Sequence, residues 1–426
     1  MCRTKIWIVF LAISFAFTHG QVIWEKYEAN PIGFTTGEAG SWDSWRAFIT
    51  SIMFYDGLYK AWYDGYDEEG ICRIGFATSV DGIEWSKHEN PVLWSGEEGS
   101  WDDEYVGNCS VVLIDTVFHM WYTGEDGQHY RIGYATSPDG ITWTKFHANP
   151  VVEFGYEGMW DEGEVMHPMV LYDGDSLRMW YNGYGQGLQR TGYATSKNGI
   201  YWYKHSKNPV LSLGPEGAWV DYQLIMMSVL YEDGEYKMWF TAGDGTYDDR
   251  MYYRIGYAGS SDGVNWSKYH GNPVLDMGGP DSWDCANVVI SSVLYDSAAQ
   301  LYKMWYGGSN EITGGMGLAT APDSIPPSGI LNGQQMICKT FTLNQNYPNP
   351  FNASTKISYE LPVTCHVCVT IFNCLGQKIT ELFSGHQQPG RHMVKWNAAT
   401  YPSGIYVCRM QTDKGFTQTK KLILLK

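Results

Sequence analysis

Positive charge is scarce in this chain. Its 426 residues include 29 Lys and Arg against 46 Asp and Glu, which gives a formal net charge of −17. Nucleic acids and anionic membrane surfaces are bound through basic patches, so this charge balance argues against both as partners. The 19 Trp and 31 Tyr suit neutral ligands with apolar faces, and sugars are among these.

Long apolar runs are also missing beyond the N-terminus. Residues 1–20 contain the basic residues Arg3 and Lys5 near their start, continue with a short apolar run and end in small residues before Gln21. This order is typical of a secretory signal peptide, and the run is too short to span a bilayer comfortably. We therefore predict removal of 1–20 and a mature chain without a transmembrane segment.

Paired cysteine motifs are lacking as well. After the first twenty residues, three cysteines precede position 324 and five follow it, so neither region can pair all its thiols internally. Cys365 and Cys368 have metal-like spacing, but no second pair accompanies them. Residues three apart in a strand also point to opposite faces. We predict no metal site and no cofactor.

The chain does contain five copies of one repeat. In the clearest copy, four strand-like pieces over 164–204 are separated by dipeptides such as Asp173-Gly174 and Asn198-Gly199, which supply the positive φ angles of tight turns. A fixed period of four-stranded units predicts a β-propeller, here with five blades and with the repeated tryptophans in its core. These are Trp24, Trp85, Trp143, Trp202 and Trp266 in the last strand, and Trp62, Trp121, Trp180, Trp239 and Trp305 in the second.

The two ends of the repeat region are complementary. The chain begins with only the last strand of a unit, around Trp24, and its fifth copy ends at 319–321 without a closing tryptophan. We predict that residues 22–24 pair with the strand near 317–320 and complete the last blade, because ring closure leaves no exposed edge. An open solenoid of sheets is the alternative.

A different β domain follows the repeats. Residues 324–340 contain Pro326-Pro327-Ser328-Gly329 and no periodicity, which is typical of a linker. Beyond it, short alternating strands predict an immunoglobulin-like β-sandwich. The predicted organisation is a signal peptide at 1–20, a propeller at 21–323, a linker at 324–340 and a sandwich at 341–426, with sandwich strands at 356–359, 367–372, 392–396, 405–410 and 418–425.

Several motifs occur together in this tail. They are NYPNPFN from Asn346, YELP from Tyr359, FNCLGQ from Phe372, SGIY from Ser403 and KKLILLK from Lys420. The set resembles the type A C-terminal sorting domain of the type IX secretion system. The resemblance implies a bacterium of the Bacteroidetes type, passage through the periplasm to the outer-membrane surface or the exterior, and the type IX machinery as a partner that usually removes the tail.

The propeller region carries Trp-Asp and Asn-Pro-Val motifs at the blade period. In its period, blade number and motifs it resembles the five-bladed catalytic domains of glycoside hydrolase families 32, 43 and 130, although no catalytic signature is intact. The resemblance implies an oligosaccharide or polysaccharide ligand. In these families three carboxylates, one from each of the first three blades, serve as base or nucleophile, as tuner of pKa and orientation, and as acid.

One face of the ring is expected to carry the site. Loops between blades, and between second and third strands, emerge together on this face, whereas the opposite face holds the Asp-Gly turns. The site face is acidic and aromatic. The blade-to-blade loops contain Trp42-Asp43, Trp101-Asp102, Trp160-Asp161, Trp219-Val220-Asp221 and Trp283-Asp284, and the other loops contain Asp64, Tyr66, Glu125, Asp126, Tyr184, Asp244, Asn310 and Glu311.

Comparison of the blades selects candidates for substrate binding. A residue shared by all blades belongs to the scaffold, whereas a polar residue that differs at an equivalent channel-facing position is a better functional candidate. Four residues after each loop tryptophan, the five blades carry five different polar groups. A solvated pore lining is the alternative. The candidates are Arg46, Tyr105, Glu164, Gln223 and Asn287, together with Asn108 and His167 three positions further on.

Glu164 matches the third-blade acid of the resembling families best. Asp43 and Asp103 are predicted as the carboxylates of the first and second blades, although Asp43 belongs to the repeated Trp-Asp pair and a scaffold role is as good an interpretation. We expect Glu164 at the funnel rim, partly buried, with its pKa raised by burial and by neighbouring carboxylates such as Asp161 and Glu162 or, across the funnel, Asp43 and Asp103. A bulge before His167 is expected if both residues line the pocket.

Two classes of function remain open from the sequence. One is a secreted glycoside hydrolase-like enzyme that uses carboxylate acid–base catalysis. The other is a non-catalytic propeller that binds glycan or protein at the cell surface. A phosphorylase would need a basic phosphate pocket, to which only Arg46 among the candidates could contribute.

Overall fold

The computed structural model of the chain describes residues 24–214, 219–244, 252–310, 313–322, 341–343, 345–346, 349–387 and 390–426. These residues contain strands but no helix, and none of them forms a helix that could cross a membrane. They form two compact units that divide within the predicted linker. The predicted signal peptide and linker lie outside the described residues.

The strands of the N-terminal unit group into five antiparallel four-stranded units, the blades. Blade 5 is a sheet of its own, whereas single parallel pairings join blade 1 to blade 2 (Cys72 with Tyr105) and blade 3 to blade 4 (Gln189 with Gln223) into eight-stranded sheets. Blade 1 contains β2 (Arg46–Tyr55), β3 (Leu58–Tyr66), β4 (Cys72–Ser79) and β5 (Ser86–Lys87), and blade 2 contains β6 (Tyr105–Ile114), β7 (Val117–Glu125), β8 (Tyr130–Ser137) and β9 (Thr144–Lys145). Blade 3 contains β10 (Glu164–Tyr172), β11 (Leu177–Gly185), β12 (Leu188–Ser196) and β13 (Tyr203–Lys204), and blade 4 contains β14 (Gln223–Glu232), β15 (Glu235–Asp244), β16 (Tyr252–Ser260) and β17 (Ser267–Lys268). Blade 5 contains β18 (Asn287–Asp296), β19 (Leu301–Ser309), β20 (Gly314–Pro322) and β1 (Glu25–Lys26).

The ring is closed by the N-terminal strand, as the sequence predicted. Strand β1 pairs with β20, with Glu25 opposite Thr320 and Lys26 opposite Ala319, so the paired residues begin just after Trp24. The first strands of neighbouring blades contact one another around the whole ring, including β18 with β2. These first strands are therefore the innermost strands, and they surround the central channel.

The second-strand tryptophans hold neighbouring blades together. All five are fully buried, which confirms their predicted place in the core. Four of them donate an indole N–H to the carbonyl of a turn glycine in the next blade, and the pair from Trp305 to Gly82 spans the closure of the ring. The other pairs are Trp62 to Gly140, Trp121 to Gly199 and Trp180 to Gly263, at 2.8–2.9 Å.

Gly199 illustrates why these turns require glycine. Its φ is +75°, a conformation that side chains with a Cβ rarely adopt. A Cβ at this position would also lie 2.6 Å from the Trp121 ring. The Asn-Gly turn read from the sequence therefore shapes the hairpin and also makes room for the neighbouring blade.

The C-terminal unit has two sheets over one core, which agrees with a sandwich. The three-stranded sheet contains β21 (Thr342–Leu343), β22 (Ser354–Leu361) and β25 (Gly390–Asn397), and the four-stranded sheet contains β23 (Cys365–Asn373), β24 (Lys378–Gln387), β26 (Gly404–Thr412) and β27 (Thr417–Leu424). Buried residues of both sheets, such as Ile357 and Ile371, share this core. The sequence reading missed β21 and β24, because β24 buries no continuous apolar face.

Candidate active site

A cavity of about 730 Å³ opens on the propeller unit. Its walls come from the innermost strands β2, β6, β14 and β18, from parts of β3, β16, β19 and β20, and from residues 31–36. Among the described residues that line it, Asp64 is the only carboxylate and Arg46 the only basic side chain. A concave site with a few convergent polar groups is the usual form of a small-molecule site. Its larger polar and aromatic members include Trp45, Tyr66, Asn108, Tyr253 and Asn287.

The innermost strands share a β-bulge that shapes this region. The pairing register shifts near the middle of β2, β6, β10, β14 and β18. In blades 2 to 5, the N–H of a residue at the bulge, or in blade 5 directly before it, donates to a side chain of the preceding blade. The acceptor lies two positions after the second-strand tryptophan of that preceding blade, so blades 1 to 4 each provide a hydrogen-bond acceptor there. The bonds are Asn108 to Asp64 (2.8 Å), His167 to Thr123 (3.0 Å), Met226 to Asn182 (2.9 Å) and Ile290 to Thr241 (2.8 Å).

Asp64 is the only ionisable residue at this acceptor position. Thr123, Asn182 and Thr241 accept the same type of bond with neutral oxygens, and blade 5 has Gly307 there. The fold therefore does not require a carboxyl group in blade 1. Because a buried carboxyl costs more than a neutral acceptor, its presence in a cavity wall indicates a functional role.

The environment of Asp64 favours its protonated form. The side chain is only 2% exposed. Burial raises the pKa of Asp64 to about 7, although the Asn108 N–H at 2.8 Å and the Tyr105 hydroxyl at 3.4 Å both donate to it and oppose this rise. A carboxyl group with a pKa near 7 is about half protonated at pH 7 and can transfer its proton during a reaction, which is the requirement for a general acid.

Two predicted binding residues, Tyr105 and Asn108, lie beside Asp64. Asn108 lines the cavity and has a positive φ of 45° at its bulge. Its amide Nδ2 donates to the Tyr105 hydroxyl oxygen. Tyr105 is not among the cavity-lining residues, and it contacts Asp64 from behind. The pair therefore positions the carboxyl group.

Arg46 and Trp45 form the exposed rim of the cavity. Both residues line it, and the Arg46 guanidinium stacks over the Trp45 ring at 5.2 Å. Trp45 also makes an edge contact with Tyr66, with ring centroids 6.1 Å apart. Trp45 is 58% exposed, unlike the buried tryptophans of the repeat. An exposed aromatic ring beside polar groups can pack against the apolar face of a sugar.

Asn287 and Gln223 are connected through Tyr253. The Asn287 side-chain oxygen accepts from the Tyr253 N–H at 3.0 Å, and Gln223 donates to the Tyr253 hydroxyl at 2.5 Å. Asn287 and Tyr253 line the cavity, whereas Gln223 does not. Tyr253 thus connects the two predicted binding residues of blades 4 and 5 by hydrogen bonds, and only Asn287 of these two lines the cavity.

Glu164 begins the innermost strand of blade 3 and is half-buried, as predicted. Burial raises the pKa of Glu164, the Glu125 carboxylate raises it further, and His129 opposes this effect. The direction therefore agrees with the sequence analysis, but the neighbouring carboxylate is Glu125 rather than the four residues considered there. The Tyr130 hydroxyl hydrogen-bonds with Glu125 close to Glu164. Glu164 is not among the cavity-lining residues.

His167 is not among the residues that line the cavity. The expected bulge is present, since the register shifts between Met166 and Met169 and His167 has a φ of 51°. The imidazole Nδ1 contacts the Asn182 side-chain oxygen at 3.1 Å. Burial lowers the pKa of His167 to about 4, although the bond to Asn182 opposes this shift, so the ring is neutral at physiological pH. His167 therefore contacts its own blade through Asn182, and its predicted contact with substrate stays a prediction.

Asp43 belongs to the scaffold. It is 4% exposed and accepts from Lys87 at 2.8 Å and from the Tyr63 hydroxyl at 3.0 Å. Burial alone would raise the pKa of Asp43, but Lys87 and these hydrogen bonds hold it below its ordinary value. The same Lys–Asp–Tyr contacts recur in three other blades, which argues against a catalytic Asp43. They join Asp102 with Lys145 and Tyr122, Asp161 with Lys204 and Tyr181, and Asp284 with Lys26 and Tyr306.

Asp103 forms a hydrogen bond within its own loop. One carboxylate oxygen accepts from the Gly99 N–H at 2.5 Å, and the other is buried without a hydrogen-bond partner among the described residues. Glu162 makes the equivalent bond to the Gly158 N–H in blade 3. Asp103 therefore has a structural counterpart that the Trp-Asp pattern did not reveal, and it does not line the cavity.

The sequence analysis assigned Asp64 to a loop on the expected site face and did not select it as a candidate, whereas the structure has it within β3. The comparison of blades used positions in the first strand, whereas Asp64 lies in the second strand. The same comparison applied two residues after Trp62 would have found it, because the five blades have Asp64, Thr123, Asn182, Thr241 and Gly307 there. Tyr253 and Trp45 lacked such a signal, since aromatic residues are common throughout the repeat.

Residues 49–212 match the family model described as beta-1,4-mannooligosaccharide phosphorylase. The propeller is also similar to a solved structure of glycoside hydrolase family 130, described as a family of mannoside phosphorylases containing hydrolases that target β-1,2-mannosidic linkages in Candida mannan. The TM-score is 0.58 and the identity 17%, with 73% of this chain and 97% of the other covered. This likeness supports the glycoside-hydrolase type of propeller fold.

Two curated relatives match the propeller in sequence. An uncharacterized protein of Mycobacterium tuberculosis is 27% identical over 274 residues, which cover 62% of this chain and 86% of the relative. A 1,2-beta-oligomannan phosphorylase of a Thermoanaerobacter species is 30% identical over 114 residues, which cover 24% of this chain and 38% of the relative.

The C-terminal unit matches a different family model. Residues 345–425 match the secretion system C-terminal sorting domain, which confirms the resemblance seen in the sequence motifs. This domain marks proteins that the type IX system secretes to the cell surface or the exterior, so the protein is secreted or displayed on the surface.

Proposed function

We propose that this secreted, carbohydrate-active protein cleaves a glycosidic bond of an oligosaccharide or polysaccharide, with Asp64 as the proton donor. The observation that carries the proposal is the placement of Asp64. It is a fully buried carboxyl group in a cavity wall with a pKa of about 7, at a position where other blades use neutral acceptors. The phosphorylases named in the family and relative matches support a glycoside as the substrate.

Asp64 transfers its proton to the glycosidic oxygen as the bond from this oxygen to the anomeric carbon breaks, so the leaving sugar departs as a neutral alcohol. A water molecule attacks the anomeric carbon and loses a proton to a second carboxylate. The Asn108 N–H and the Tyr105 hydroxyl stabilise the Asp64 carboxylate that remains, because both donate to it. These two donors also keep the acid in one orientation.

Glu164 is the second carboxylate in this proposal and acts as the base. Because it is only half-buried, whereas Asp64 is fully buried, Asp64 retains its proton to the higher pH. Groups whose environments separate their pKa values in this way divide into acid and base. An inverting enzyme also needs room for water between its two carboxyl groups, and Glu164 is not among the residues that line the cavity.

Phosphorolysis is a second candidate reaction, and the description of the matched family model favours it. Phosphate would then replace water as the nucleophile, and no base would be needed. Arg46 is the only basic side chain among the described cavity-lining residues. A phosphate dianion would therefore have few partners in the cavity, and we propose hydrolysis as the reaction in preference to phosphorolysis. Formation of a sugar 1-phosphate that requires added inorganic phosphate would reverse this choice.

The test is a screen of the secreted protein for sugar release from mannans, plant polysaccharides and microbial polysaccharides. We expect release by the natural protein and a loss of about 10²- to 10⁴-fold in Asp64→Asn, the usual contribution of a positioned acid. Asp67→Asn is the matched control, because Asp67 also lies in blade 1 but pairs with Arg73 outside the cavity. Binding of a glycan without any product would show instead that the propeller is a non-catalytic binding module.

A further inference from the structure

Arg46 differs from every other arginine in the described part of the propeller. Arg73, Arg131, Arg178 and Arg254 each pair with an aspartate, and Arg190 donates to backbone carbonyls. The Arg46 side chain forms neither an ion pair nor a hydrogen bond with any described residue, although its backbone pairs with Tyr66 in the sheet. In a chain with a net charge of −17, where carboxylates are abundant, an arginine without a partner is an exception.

The position of Arg46 shows where its missing partner would lie. The side chain lines the cavity, and Trp45 holds its guanidinium by stacking at 5.2 Å. Stacking leaves the N–H groups at the edge of the guanidinium plane available as donors. Asp64, the only carboxylate among the described cavity-lining residues, receives its hydrogen bonds from Asn108 and Tyr105 instead. The cavity rim thus contains a cation that pairs with no carboxylate among the described residues.

We propose that Arg46 binds the carboxylate of an acidic sugar, so that the substrate is a glycan containing uronic acid. This inference rests on the proposed function for the presence of a glycan in the cavity. The guanidinium fork matches a carboxylate in a two-bond arrangement, and such charge-assisted bonds are stronger than neutral ones. Trp45 supplies an apolar platform beside the same group, which suits the ring that carries the carboxylate.

Free phosphate could also be the anion, because it shares the oxyanion chemistry of a carboxylate. The exposed position of Arg46 at the cavity rim suits a substituent on a polymer better than an attacking nucleophile, which must reach the anomeric carbon beside the acid. The two anions can be separated experimentally, since one belongs to the glycan and the other is added independently.

The experiment compares one uronic-acid polysaccharide with its carboxyl-reduced form, which has the same linkages but no charge. Binding is measured by affinity electrophoresis and calorimetry in Asp64→Asn protein, which leaves the glycan intact, with and without a second substitution, Arg46→Gln. Arg73→Gln is the matched control in the same blade, because it removes the same charge outside the cavity. Inorganic phosphate is titrated in a separate series.

We expect the acidic glycan to bind about 10- to 100-fold more tightly than the reduced one, the usual effect of a charge-assisted hydrogen bond. Arg46→Gln should bring this ratio close to one, and Arg73→Gln should preserve it. Equal binding of the two glycans, or a ratio that survives Arg46→Gln, would overturn the inference. The inference would also be overturned if Arg46 bound phosphate instead of the glycan. In that case inorganic phosphate would bind saturably, Arg46→Gln would abolish this binding, and the two glycans would bind equally.

Failure of this inference is distinguishable from failure of the proposed function. If the acidic glycan binds through Arg46 but the natural protein never cleaves it, Arg46 keeps its role and the proposed reaction is wrong. If the protein cleaves neutral glycans and shows no preference for acidic ones, the reaction stands and the acidic substrate is wrong.

Discussion

Replacement of Asp64 by asparagine should make the propeller more stable and less active. Asparagine preserves the oxygen that accepts the Asn108 N–H, as Asn182 does for the Met226 N–H in blade 3. The substitution removes the ionisable proton and the need to bury a charge. Activity should fall about 10²- to 10⁴-fold, and least on substrates with good leaving groups, which need little protonation.

The gain in stability follows from the pKa of Asp64 in the two states. The carboxyl ionises near its ordinary value of 3.8 in the unfolded chain and at about 7 in the folded one. Between these values the folded state binds one proton more, so stability falls as pH rises through this window and the full cost is present above pH 7. At 1.36 kcal/mol for each unit, the cost is at most about 4 kcal/mol.

Urea denaturation followed by tryptophan fluorescence measures this effect at pH 4 and at pH 8. We expect the two proteins to have similar free energies of unfolding at pH 4, and Asp64→Asn to be more stable by up to about 4 kcal/mol at pH 8. If the proposed reaction is correct, the natural protein should also lose activity as pH rises above 7, because Asp64 then loses its proton. Asn182→Asp is the converse control, since it places a carboxyl at the equivalent buried position and should destabilise blade 3 most at high pH.

Two results would refute this reasoning. An Asp64→Asn protein with unchanged activity on a natural glycan would remove Asp64 from the mechanism. An Asp64→Asn protein that is less stable than the natural protein at pH 8 would show that the carboxyl group is held ionised by interactions stronger than those with Asn108 and Tyr105.

Three further predictions concern other parts of the chain. Glu164→Gln should lower turnover about 10²- to 10⁴-fold on all substrates, and sparing of substrates with good leaving groups would identify Glu164 as the acid instead. Asp43→Asn should lower the free energy of unfolding by about 1–3 kcal/mol, because Lys87 loses its partner, and like Asp102→Asn should keep its specific activity; an inactive but fully stable Asp43→Asn would restore a catalytic role. Intact-mass measurement of the released protein should show the loss of residues 1–20 and of the tail after the linker, and recovery of the complete tail would contradict this.

The sequence predicted the architecture well because the blades repeat their packing. The tryptophans, turn glycines and Lys–Asp–Tyr contacts recur at one period. The strands of one copy could therefore be assigned by comparison with the other copies. Ring closure was also readable, since β1 and β20 are complementary parts of one blade. Strand β24 was missed because it lacks the alternation of buried and exposed residues that a period-2 pattern requires.

The site was harder to predict, because a bulge changes the direction of side chains without leaving a signature in composition. His167 and Asn108 occupy equivalent positions, yet Asn108 reaches the cavity and His167 contacts Asn182. Asp103 lies outside the repeated Trp-Asp pair, but Glu162 makes the same bond to a glycine in blade 3. Spacing alone could not reveal which carboxyl was buried, and burial determines the pKa of Asp64.

Because the ring is closed, the fold does not depend on the blade at which the chain begins. Lys26 reaches Asp284 across the closure as Lys145 reaches Asp102 within blade 2, at 2.6 Å in both cases. The contacts therefore do not depend on whether the strands of a blade come from one stretch of sequence or from two. A circular permutant with β1 and β20 linked and new ends between blades 2 and 3 should fold to the same ring. The gene could then begin at any blade, and a guest domain could be inserted at any loop between blades that lies away from the cavity.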